Sequence, residues 1–439
     1  MAYSKKIAIQ IQSEVQFFSL GPLIHELKEK GFSVDAIVDD YDGDQLGYND
    51  VAAGAKRILR EHNIKHKNIQ DVENFIYDIC LLPYMDDRIK AKKYLKYEYG
   101  TLNIKPNLTY LPRLLEGFHG FLCQSKITYE LLKVYGATFL VDNLRFCRES
   151  GVKIGNSNKK RLLFAPTYND LHESEGLEEV MKKLKEDYYL IVKGHHGTSY
   201  LKENIGEKQI LGELADEYYG SDTSLSELIT KVDVCLFDNS SAIGEALYAK
   251  VPCAIFTDDL DYFKLGEIHT TQYELVKSAK VPWTDKIENL NAILKKALSK
   301  EYRDKQRKLS DEIFPDECKT GVEGYIRVID LFLSDPITED YSLLHDYALS
   351  QRKIFREEAE KRINDGKRKN IVLKNENDLL KEANERLENE NKFLVSEGCV
   401  MKERIKNMES EIEDNKKKKL YKLADKLYNL EGKILNGKS

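Results

Sequence analysis

The chain has 439 residues, too many for one hydrophobic core, so two or three domains are expected. Its 32% charged and 41% hydrophobic residues suit a soluble globule, and 68 Lys plus Arg against 74 Asp plus Glu give a net charge of −6, which is no argument for wholesale nucleic-acid binding. The longest apolar runs fall far short of the roughly 20 residues of a membrane span. No signal-peptide pattern is read over residues 1–12. Seven cysteines without a CxxC pair argue against a disulfide framework and against a structural zinc site. A cytosolic protein is expected.

Residues 7–11 (IAIQI) read as a buried strand, followed by a loop of small and polar residues. Gly21-Pro22 then leads into a helix whose apolar face carries Leu23, Ile24 and Leu27. Gly31 stops it, and residues 32–38 form a second strand. This βαβ unit predicts a parallel sheet. A strand over 75–82 ends at Pro83, and a strand over 120–123 precedes a helix over 126–134. The polar segment 151–160 reads as a domain junction. Beyond it, strands at 161–165, 188–193, 232–237 and 253–256 alternate with helices. The predicted fold is therefore α/β: two doubly wound Rossmann-like domains, 1–150 and 155–335, facing one another across a cleft. Ligands of such folds sit at the carboxyl ends of the strands.

A helical linker is expected over 336–369 and a coiled coil over 370–415. Leu373, Leu380, Leu387, Leu394, Met401 and Met408 recur every seven residues. Asn377, Asn384 and Asn391, then Ile405 and Ile412, take the complementary core position. Leu at one seam position and Asn at the other favour a parallel dimer, with Gly398 weakening its middle. The bland alternative is a single solvated helix with an apolar stripe. Over 416–439, Leu420, Leu423, Leu427, Leu430 and Ile434 form a new stripe, out of phase with the heptads. Eight lysines against two acids give this segment +6 and leave −12 for the rest of the chain. A basic amphipathic helix suits an anionic membrane surface, at about 1 kcal/mol per basic residue. The alternative is more coil.

Three strand ends carry polar chemistry. Residues 161–170 end in Ala165-Pro166-Thr167, residues 191–197 in Lys193-Gly194-His195-His196, and residues 232–237 run into Asp238-Asn239-Ser240-Ser241 just before a helix. In a parallel sheet these ends lie on one edge, so Thr167, His195, Ser240 and Ser241 can converge on one ligand. Hydroxyls beside unpaired helix amides make an anion cradle, although the same serines also suit an ordinary helix cap.

In order and spacing these motifs resemble the CDP-glycerol glycerophosphotransferase family, the teichoic acid primases and polymerases with a GT-B fold. The family's A-P-T turn, K-x-H-P, D-Y-S-S and D-x-x-x-Y stretches correspond to Ala165-Pro166-Thr167, Lys193 to His196, Asp238 to Ser241, and Asp258 to Tyr262. The segment Ile313-Phe314 and a helix over 321–330 resemble the family's ending, so the match spans roughly residues 118–333. Asn169 replaces a basic residue, and His196 replaces the proline. The family's W-H-G motif, which carries its catalytic base, has Glu98-Tyr99-Gly100 as its counterpart here, without the histidine. His25 and His119 are the other acceptor-side candidates.

The resemblance implies a CDP-alcohol donor, transfer of an alcohol phosphate to a hydroxyl of a polymer or lipid-linked acceptor, and release of CMP; the sequence itself singles out no cofactor and no metal site. Ser240 and Ser241 would hold phosphate oxygens with Thr167 and Asp238 beside them. His195 would stabilise charge on the leaving phosphate, Lys193 would support it, and Glu245 would reach a ribose hydroxyl or face solvent. Such an enzyme would be cytoplasmic and peripheral on the inner face of the membrane, dimerised by its coil. Two competing readings are another GT-B activity, either a nucleotide-sugar transferase or a UDP-sugar 2-epimerase, and a degenerate non-catalytic scaffold.

Overall fold

The computed structural model describes residues 5–39, 48–86, 88–100, 117–133, 136–147, 151–167, 176–195, 205–238, 240–257, 264–265, 268–269, 275 and 278–334, with helical stretches between 402 and 422. His196, Asn169, the 258–262 motif, the 336–369 linker and most of the coil and basic tail lie outside the described residues. Met1–Arg356 forms one compact unit and Glu357–Ser439 another. In the second unit, the described residues of 402–422 are helical and exposed. Met408 of the expected seam is 56% exposed.

The first unit contains two parallel sheets. The first is built from β1 (Lys6–Gln10), β2 (Ser33–Val38), β3 (His66–Asn68), β4 (Ile76–Leu82), β5 (Lys90–Tyr97), β6 (Gly120–Cys123) and β7 (Ala137–Leu140), in the order β3-β2-β1-β4-β5-β6-β7. The second takes β8 (Lys160–Ala165), β9 (Tyr188–Lys193), β10 (Glu217–Tyr219), β11 (Val234–Phe237), β12 (Cys253–Phe256) and, after the two-residue antiparallel pair β13 (Lys264–Leu265) and β14 (Ile268–His269), β15 (Trp283–Thr284). Its order is β10-β9-β8-β11-β12-β15. Each sheet reverses its winding once, between β1 and β4 and between β8 and β11. The carboxyl ends beside those reversals are where a crevice opens.

Sequence periodicity finds β1, β2, β4, β6, β8, β9, β11 and β12 to within two residues. It misses β3, β7, β10 and β15, and also β5, whose sequence KAKKYLKY hides a central strand behind four lysines. Two of them are paired: Lys92 with Asp78 at 2.8 Å, and Lys93 with the Phe332 carbonyl. The first helix also differs from expectation. It spans Glu14–Glu29, starting well before Gly21-Pro22. Ser13 caps it by accepting the Gln16 N–H at 3.4 Å, and Pro22 lies inside it. Gly21 is required there, because a Cβ would stand 2.8 Å from the Phe17 ring.

The helix Gly321–Ser334, near the end of the predicted second domain, packs instead on the first sheet. Tyr325, Ile329 and Phe332 join Ile7, Ile9 and Leu95 in one apolar core. Phe332 lies so close to Gly120 that a Cβ there would come within 2.7 Å of its ring. The chain thus crosses to the second domain and returns to close the first. Phe332→Ala should cost about 3–4 kcal/mol, the usual price of emptying a buried aromatic site. Urea denaturation followed by circular dichroism checks this, and a loss below about 1 kcal/mol would mean that the helix is a dispensable appendage.

Candidate active-site cleft

The carboxyl ends of β8, β9 and β11 bring the sequence-predicted residues to one edge, but not all in the same role. Asp238 is buried and receives both the Thr167 N–H, at 2.5 Å, and the Thr167 hydroxyl, at 2.6 Å. These two residues therefore satisfy each other and hold the ends of β8 and β11 together. The helix after β11 spans only Ile243–Tyr248, with Ala242 at its cap position. Its first amides are occupied: Ala242 N–H bonds Ser240 Oγ at 3.2 Å, Gly244 N–H bonds the Ser241 carbonyl at 3.0 Å and Glu245 N–H bonds the Ala242 carbonyl at 2.9 Å. The expected row of unpaired amides is closed by tight turns, and the serines reach the cleft as hydroxyls.

Lys193 ends β9, 9% exposed, with its ammonium donating to the Gly194 carbonyl at 2.9 Å. Burial lowers its pKa to about 8, against the pull of Asp222, Glu14 and Glu245. His195 follows, half-buried, on the rim of the same cleft.

The first domain supplies the opposite wall. Of the three acceptor-side candidates only Tyr99 lines the cleft. Its hydroxyl is hydrogen-bonded to that of Tyr84, whose own ionisation burial and Tyr99 push up. Glu98 turns inward, its carboxylate accepting the Gln124 N–H at 2.9 Å, and burial raises its pKa to about 7. His25 is exposed on the first helix. His119 packs within the first domain, where Nδ1 accepts the Tyr94 N–H at 3.1 Å and the ring stacks on Tyr94.

Sequence reading misses Arg145. It lies in the single turn Leu144–Phe146, capped by Asn143, and is 7% exposed. Its guanidinium pairs with Glu245, which is 3% exposed, so the two domains meet through a buried ion pair. No local pattern marks Arg145, because its partner is 100 residues away. Tyr99, Gly100 and Arg145 on one side and Lys193, His195, Ser240, Ser241 and Glu245 on the other enclose a cleft of about 130 Å³.

No protein-family model and no curated protein matches the chain. Solved structures do. The Staphylococcus aureus MnaA–UDP complex is 14% identical with a TM-score of 0.50, covering 75% of this chain and 97% of its own. The wall teichoic acid polymerase TagF is 13% identical with a TM-score of 0.49, over 76% and 89% of the two chains. A putative UDP-N-acetylglucosamine 2-epimerase from Listeria monocytogenes is 13% identical with a TM-score of 0.48, over 70% and 91%. The likeness to MnaA shows the fold. It is a pair of parallel-sheet α/β domains in the GT-B arrangement.

Keeping Lys193 buried carries a stability cost with a definite pH signature. Between about 8 and 10.5 the folded chain releases this proton while the unfolded chain keeps it, so stability rises with pH in that window; below it the full penalty remains. Lys193→Met should therefore stabilise the protein by about 2–3 kcal/mol at pH 7 and remove that rise. Denaturation at pH 7 and pH 10 checks both. Lower stability for the variant at pH 7 would show that the ammonium is well compensated.

Proposed function

We propose that the chain is a GT-B-type transferase that binds a nucleotide-activated donor against the second domain and a hydroxyl acceptor against the first. The supporting observation is the convergence of Lys193, His195, Ser240, Ser241 and Glu245 on one cleft that Tyr99 and Arg145 close from the other side. The motif resemblance favours a CDP-linked alcohol as donor. In that reaction the acceptor oxygen bonds to the β-phosphorus, the bond to the bridging oxygen breaks, and CMP leaves with the electron pair and takes up the proton that the acceptor hydroxyl gives up. Lys193 and the serine hydroxyls are suited to the diphosphate oxygens, and His195 to the charge on the departing phosphate. Thr167 and Asp238 support the site by joining its two strand ends. Tyr99, linked to Tyr84, positions the acceptor hydroxyl. The acceptor proposed is a cell-envelope polymer or its lipid-linked precursor.

A uridine donor is the second reading, favoured by MnaA, which was solved with UDP. Thermal melting separates the two: CMP or CDP should stabilise the chain by about 2.7 kcal/mol at a hundredfold excess over Kd, and UMP or UDP should do so under the second reading. Ser240→Ala with Ser241→Ala should weaken the stabilising nucleotide by about 2–4 kcal/mol. His195→Ala should lower turnover with little change in melting. Unchanged binding in the serine pair would reduce these hydroxyls to turn formers, and absence of turnover with any activated donor would favour the non-catalytic scaffold.

The heptads over 370–415 and the +6 segment over 416–439 complete the proposal: the coil makes a parallel dimer, and two basic helices bring it to an anionic membrane surface. Truncation at Asn415 should leave a dimer that no longer co-sediments with anionic vesicles, and truncation at Asn370 a monomer. Binding of the full chain should weaken as salt rises, since charges are screened over about 8 Å at physiological ionic strength. Vesicle binding that survives the Asn415 truncation would make the tail more coil.

A further inference from the structure

The Arg145–Glu245 pair joins a cation held entirely by one domain to a carboxylate that belongs to the other. Arg145 donates from Nε to Ser19 Oγ at 3.0 Å and from Nη2 to the carbonyls of Val15, at 3.3 Å, and Tyr99. All three partners are in the first domain, so the guanidinium plane is set before the second domain is considered. Its remaining edge, Nη1, reaches Glu245 Oε1. Glu245 Oε2 is buried, has no hydrogen-bond partner among the described residues, and belongs to a side chain that lines the cleft. A buried carboxylate oxygen without a donor is costly, and its usual justification is a group that arrives with a ligand. Burial pushes Glu245 towards its neutral form, and the two cations that face it, Arg145 and Lys193, pull it back.

We propose that Arg145 is a positioning residue: from the first domain it holds the Glu245 carboxylate ionised and turns Oε2 into the cleft to accept a hydroxyl of the nucleotide-linked ligand. The donor site of the second domain is then complete only while the first domain is docked on it. Donor binding and domain alignment are coupled through one guanidinium. An acceptor that displaced the first domain would loosen the donor, and a bound donor would favour the docked arrangement.

This inference rests on the nucleotide-donor reading, and the test separates the two. Full-length wild type, Arg145→Gln, Arg145→Lys, Glu245→Gln and the Arg145→Gln/Glu245→Gln double variant are titrated with CDP and with UDP between pH 6 and 8.5. Relative to wild type, Arg145→Gln should bind about tenfold more weakly at pH 6.5 and recover as pH rises, because Glu245 without its partner protonates at higher pH. Arg145→Lys should restore most of the affinity. Glu245→Gln should be weak at every pH, and the double variant no weaker. Carbon-13 labelling of the glutamate side chains gives a readout independent of any nucleotide: the resonance absent from Glu245→Gln should titrate at higher pH in Arg145→Gln than in wild type. A wild type that binds neither CDP nor UDP overturns the donor reading, while the carboxyl titration still judges the pair. An Arg145→Gln protein whose affinity parallels wild type at every pH, or whose Glu245 titration is unmoved, overturns the positioning role and leaves Arg145 as domain adhesive.

Discussion

Residues 142–146, a short and largely buried stretch where the chain leaves the first domain for the second, tie the two domains together. The Asp142 carboxylate takes the Tyr248 hydroxyl of the second domain and the Gly321 N–H that opens the closing helix. Its carbonyl takes the Tyr325 hydroxyl at 2.9 Å. The Arg145 carbonyl takes the Ser226 hydroxyl at 3.0 Å, and Phe146 stacks on Tyr248 with ring centres 4.7 Å apart. Charged and hydrogen-bonded groups taken out of water are poor sources of net stability, but they tolerate few alternative geometries. Apolar surface would let the domains slide. This turn lets them meet in one arrangement.

That constraint shapes the cleft. Both sheets point their carboxyl ends at it, and two of the groups that line it, Lys193 and Glu245, are buried away from water. A lysine with a pKa of about 8 and a glutamate raised by burial are consequences of that dryness, and both are costly to the folded state. Around the cleft, helices cover apolar sheet faces, and the second sheet is sandwiched between two separate apolar clusters. Costly buried groups are not confined to the cleft, since Glu98, turned into the first domain, is also raised by burial.

Buried β-strands announce themselves through runs of Ile, Val, Leu and Phe, so most of both sheets was legible from residues alone. The lysine-rich β5 was not, because two of its lysines are met by partners that no local pattern shows: Asp78 pairs with Lys92, and the Phe332 carbonyl accepts from Lys93. The start of the first helix was also obscured, since Gly21-Pro22 resembles a boundary unless Ser13 is known to cap upstream.

The alternation of β and α is a local property, written in short apolar runs and in the 3.6-residue period of the helices. These signals were sufficient to place Thr167, Lys193, His195 and Asp238 at strand ends on one sheet edge, because parallel strands share a direction. What each residue does once there was decided by partners distant in the chain. Asp238 turns to Thr167, 71 residues away, and the closing helix returns to the first domain through a hydrogen bond between residues 183 apart. Arg145 finds Glu245 across 100 residues. Pairings of this kind leave no local trace, because a buried charge selects its partner by position in space and by the water excluded around it.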